Sequence, residues 1–95
     1  MSFDPDRASL IKARYALTIL KNAKGSDRST ALRMVESLVI DSASLEESTL
    51  VAEAHHGALI KFRDLAEAFR SARDPGPLWY PAERAAQKWA DLLER

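Results

Sequence analysis

Apolar side chains recur every three or four positions through most of this chain, and Gly and Pro break the rhythm at only a few places. Asp4-Pro5 opens the first periodic stretch, since Asp is a good N-cap and Pro is preorganised for the first helical position. The stretch runs from residue 4 to 24, where Gly25 supplies the residue that helix C-termini most often use. A second stretch, 28–42, carries Ala31, Leu32, Met34, Val35, Leu38 and Val39 at helical spacing. Ser44 and Glu47 form a capping box ahead of a third, 45–73, whose stripe is Val51, Ala54, His55, Ala58, Phe62, Leu65, Ala66 and Phe69. Gly57 lies inside it, where glycine weakens a helix by about 1 kcal/mol relative to Ala and permits a kink. Asp74-Pro75-Gly76-Pro77 then stops the helix. Pro81 opens a fourth stretch, 81–94, with Ala82, Ala85, Ala86, Trp89, Leu92 and Leu93 on one face and charged residues on the other. No stretch alternates with the period of a strand and no internal repeat occurs. The pattern predicts an all-α single domain over 1–95, a small four-helix bundle.

The first helix departs from a one-sided pattern. At about 100° per residue, Leu10, Ile11, Ala13, Tyr15, Ala16, Leu17, Ile19 and Leu20 wrap more than half of its circumference. So wide an arc requires cover on two sides. The helix is therefore either central in the bundle or part of an interface with a second copy of the chain.

Composition narrows the function classes. A chain of 95 residues has room for one modest core, with no deep active-site cavity expected. Without cysteine there is no disulfide framework, thiolate metal site or Cys nucleophile. The acidic opening residues do not resemble a secretory signal, and no apolar run approaches the roughly 18 residues of a membrane span, which makes a cytoplasmic setting the expectation. The net charge of zero conceals segregation. Residues 1–34 hold seven basic and three acidic side chains, residues 35–58 hold five acidic and no basic ones, and the remainder is nearly balanced.

Few residues suggest chemistry. Arg7, Arg14 and Lys21, spaced by seven, form one line along the first helix and make it a candidate rail for an acidic partner or for nucleic acid. Glu53-Ala54-His55-His56 contains the Glu-x-x-His spacing of di-iron carboxylate bundles. A complete site would need a second copy of the chain, with Glu36 or Glu67 as bridging carboxylates. Glu53 and His56 nevertheless lie off the apolar stripe, and His55 on it reads as a buried imidazole. Leu78-Trp79-Tyr80, held between Pro77 and Pro81, places two aromatics where they either anchor a partner or fold back on the core. Ile40 and Ile60 fall on otherwise polar helix sides. No phosphate-binding loop, nucleophile elbow or zinc-protease motif is present. The expectation is a non-enzymatic protein–protein interaction module of the adaptor, regulator or antitoxin type, homodimeric and needing no cofactor. Its candidate contact residues are Arg7, Arg14, Lys21, Ile60, Trp79 and Tyr80. A dimeric carboxylate–histidine metal protein using Glu53 and His56 is the first alternative, and nucleic-acid binding the second.

Overall fold

The computed structural model describes residues 5–41 and 49–94, and these form four helices with no strand among them. The helices are α1 (Pro5–Lys24), α2 (Arg28–Asp41), α3 (Thr49–Arg70) and α4 (Gly76–Leu93). Each packs on its neighbours in chain order, and α4 closes back on α1, so the helices form a ring in which none is central. The bundle is elongated, 45 by 22 by 19 Å. Ala13, Ala16, Leu20, Val35, Phe62, Leu65, Ala86 and Trp89 form the middle of the core. Small residues from α1 and α4 let these two helices approach closely, while Phe62 and Trp89 fill the volume between layers.

The helix ends differ in how their free backbone groups are satisfied. At the start of α2 the Asp27 carboxylate accepts a hydrogen bond from the Thr30 amide (2.9 Å) and another from its hydroxyl (3.0 Å), the expected N-cap arrangement. The end of α1 does not use the left-handed conformation that Gly25 allows. It closes instead with short amide bonds from Gly25 to Asn22 and from Ser26 to Ala23, plus a Ser26 hydroxyl bond to the Asn22 carbonyl. Among the described residues the one positive φ belongs to Ala72, at 57°. Here the Arg73 amide donates to the Ala68 carbonyl and the Ala72 amide to that of Phe69, a Schellman motif that ends α3 at Arg70 rather than at 73.

Arg28 reinforces this terminus from the preceding helix. Its guanidinium donates to the carbonyls of Ala68, Phe69 and Arg73 at 3.0 to 3.1 Å and lies over the Phe69 ring, 5.2 Å from its centre. A cation is thereby held at the negative end of the α3 dipole.

α4 begins five residues earlier than Pro81. Asp74 accepts from the Gly76 amide (3.0 Å) and the Leu78 amide donates to the Pro75 carbonyl (2.9 Å), so the turn itself launches the helix. Pro77 is harmless there because amides of the first turn have no intrahelical acceptor. Pro81 sits inside the helix and costs one bond, which its amide would have made to the Pro77 carbonyl. α3 runs through Gly57 as one helix. The capping box at Ser44 and Glu47, the cap at Asp4 and the starts predicted at 4 and 45 lie outside the described residues.

Two outcomes follow from the helix ends. Ala72→Gly removes the left-handed penalty at a small entropic cost, and should stabilise the domain by about 0.5–1 kcal/mol in urea denaturation. The Thr30 hydrogen bonds hold the Asp27 carboxyl below its ordinary value. Its contribution is therefore present above the unfolded pKa of about 3.9 and fades as pH falls through the lower folded value. The stability gap between wild type and Asp27→Ala should narrow in that acidic window when denaturation is measured across pH.

Candidate functional site

The residues of interest fall into one buried cluster and three surface regions. The cluster joins three helices at the end of the bundle where α1 begins and α4 finishes. Trp89 from α4 donates its indole N–H to the Ser9 hydroxyl of α1 at 3.0 Å, both groups being buried. The His55 ring of α3 stacks on the Trp89 ring, 4.2 Å between centres and 2° from parallel. His55 thus lies in the core, as its place on the stripe predicted. His56 and Glu53 are exposed on α3. Neither proposed bridging carboxylate is near them within one chain. Glu67 is fourteen residues further along the same helix, about 21 Å at 1.5 Å per residue, and Glu36 is bound to Arg70 (2.8 Å) across the α2–α3 seam. Among the described residues no three His, Cys, Asp or Glu side chains gather where a metal ion could be held.

The basic line of α1 divides. Arg14 is committed to Glu94 of α4, its Nε and Nη2 atoms donating to the same carboxylate oxygen at 2.9 and 2.6 Å. Lys24 pairs with Glu83 across the same seam at 3.6 Å. Lys21 lies between them over a hollow of about 580 Å³ whose wall includes Leu17, Tyr80, Arg84 and Gln87. Two candidate contact residues, Lys21 and Tyr80, therefore share one surface region. The side chain of Arg7 lies outside the described residues, as does that of Ile40.

The aromatic pair also divides. Because residues 76–80 are helical, Trp79 and Tyr80 point about 100° apart. Trp79 turns inward, edge-on to Phe69 at 5.8 Å, and is 8% exposed, so it offers a partner no anchor. Tyr80 turns outward and is 65% exposed, with Arg84 6.0 Å from its ring centre.

The wide apolar arc of α1 resolves in the same way. With α1 packed only on α2 and α4, its outer flank is uncovered, leaving Ile11 61% and Tyr15 50% exposed, one helical turn apart, above the half-buried Ile19. The central position considered for α1 does not occur. Ile60 is also exposed, on α3.

The third region went unmarked in the sequence. Between α3 and α4 two adjoining hollows, about 330 and 630 Å³, share Lys61, Ala85, Lys88 and Leu92. Leu50, 68% exposed, stands at one end, and Gly57 leaves open floor beneath it. The available signal was Leu50 itself, an apolar residue one position before the stripe, together with a glycine that the helix did not need for bending.

No known protein family, curated protein or solved structure matches this chain. Among the described residues no helix is long and apolar enough to cross a membrane.

The buried cluster can be tested by a double-mutant cycle. Ser9→Ala leaves the Trp89 indole N–H without this acceptor and should cost about 1–3 kcal/mol in urea denaturation. In a Trp89→Phe background, which lacks the donor, the same substitution should cost distinctly less. Equal costs in both backgrounds would mean that the hydrogen bond contributes nothing.

Proposed function

We propose that this domain is a non-enzymatic protein-binding module that self-associates through the outer flank of α1. The observation that carries this reading is the pair Ile11 and Tyr15: two large side chains on one stripe, left in water by a bundle whose core is otherwise filled. Burying apolar surface returns about 25 cal/mol per Å², and tyrosine is over-represented where binding energy concentrates. A second copy related by a two-fold axis would place the same stripe against itself. Binding suits the remaining features better than catalysis does. The buried polar cluster is a packed stack rather than an open cleft, and the carboxylates flanking α1 and α4 are engaged by cations.

The metal alternative would require Glu53 and His56 to meet their counterparts on another chain from exposed positions. The nucleic-acid alternative would require the Arg14 guanidinium to leave Glu94.

Light scattering on the purified chain checks the self-association, and a photoreactive residue at position 11, 15 or 60 checks partner contact in the native host. The expected result is a dimer that Tyr15→Asp converts to monomer, with protein adducts from these positions and none from Arg33, which is exposed on α2. A chain that stays monomeric at high concentration and yields no adduct at any position would overturn the reading.

A further inference from the structure

We infer that the groove between α3 and α4 receives an acidic amphipathic helix of about three turns from a partner protein, an inference that rests on the binding-module reading above but concerns a different face. Charge decides the occupant. Across the α1–α4 and α2–α3 seams three cations are held by carboxylates, Arg14 by Glu94, Lys24 by Glu83 and Arg70 by Glu36, while Lys21 between the first two is not. Along the α3–α4 groove this compensation stops. Lys61 and Lys88 line both hollows, Arg84 borders one of them, and none of the three pairs with a described carboxylate. Two acids lie beside them, Glu53 and Asp91, the latter accepting a hydrogen bond from the neutral Gln87 amide at 2.8 Å, so three cations against two carboxylates leave the lining a small positive excess. An apolar trough with a fringe of unpaired ammonium and guanidinium groups is complementary to a ligand with an apolar spine and carboxylates on its flanks.

Shape decides the conformation. The trough lies between two packed helices, and its lining includes Ala54, Gly57 and Ala85, small residues of the kind that let another helix approach closely. The distance from Leu50 to Lys61 along α3 is about 16 Å, or three helical turns. Leu50 from α3 and Leu92 from α4 are the large apolar side chains of the smaller hollow, available to the apolar face of a docked helix. A β-carbon added at Gly57 would meet nothing within 4 Å, so this position is open for a partner side chain to enter.

The test is selection from a displayed library of helical peptides, about four turns long, against the 95-residue chain. Enriched peptides should carry an apolar stripe flanked by Asp and Glu, and should shift the backbone amide resonances of Ala54, Gly57 and Ala85. Affinity should fall at least about tenfold in Lys61→Glu/Lys88→Glu, weaken with salt, and survive Lys61→Arg/Lys88→Arg. Gly57→Leu fills the open space there and favours helix, so it should abolish binding while keeping the circular dichroism spectrum and leaving thermal stability equal or higher. Four results would overturn the inference: no enrichment, peptides without acidic flanks, binding indifferent to the lysine reversals, or resonance shifts confined to Ile11 and Tyr15. So would a dimer that Gly57→Leu dissociates, since the occupant would then be a second copy. Each of these leaves the binding-module reading standing if adducts still form at positions 11 and 15.

Discussion

Trp89 is the contact on which closure of the helix ring depends. A ring needs one helix that touches both the first and the third, and at this residue α4 does both: through its N–H to Ser9 on one side and through its ring face to His55 on the other. The two contacts differ in kind. A hydrogen bond to a buried hydroxyl fixes distance and direction, because an indole N–H left without an acceptor is costly in the core. A stacked imidazole fills volume and tolerates sliding. Together they set the register of α4 against two antiparallel neighbours, and the ion pairs Arg14–Glu94 and Lys24–Glu83 then follow at the surface. Exposed pairs of this sort contribute at most about 1 kcal/mol each, so they reflect the register more than they create it.

The opposite end of the bundle relies on backbone electrostatics. Arg28 brings one guanidinium to three carbonyls at the end of α3, and so couples the start of one helix to the finish of the next. With Phe69 beneath it and Trp79 edge-on to the same ring, the aromatic layer there is bracketed by a cation and a tight turn. Groups that define the two ends thus leave the long sides of the bundle to carry surface properties, and the sides differ. Two seams are knit by ion pairs. The α1 flank is apolar and bare, and the α3–α4 trough is apolar at its base and cationic at its edge.

Helical periodicity was enough to find the four described helices, because each buries apolar residues that recur at helical spacing. The buried positions of His55 and Trp89 were legible for the same reason. The helix ends were harder. Gly25 advertised a left-handed cap that α1 does not use, whereas α3 takes that conformation at Ala72, where no glycine advertised it. The reason is non-local: the Arg28 side chain, more than forty positions upstream, satisfies the carbonyls that make the motif worthwhile. Pro81 misled in another way, since a proline within the opening turns of a helix looks the same in sequence as one at its first position. Shifting the start of α4 rotated Trp79 into the core and left Tyr80 outside. As for the candidate surfaces, the wide arc of α1 announced that something was left over, but which part of it neighbours would cover depended on the ring arrangement. The α3–α4 trough depended on which lysines found carboxylates, and spacing along a helix does not encode that.

Both tryptophans stand on α4, one at each end of the bundle, in different surroundings. Trp79 lies against a phenylalanine ring beside the connection from α3, and Trp89 lies against an imidazole and the Ser9 hydroxyl of α1. Nature has in effect supplied the domain with two optical probes on a single rod. Their emission will distinguish loosening that starts at the α3–α4 turn from loosening that starts where Ser9 of α1 meets α4.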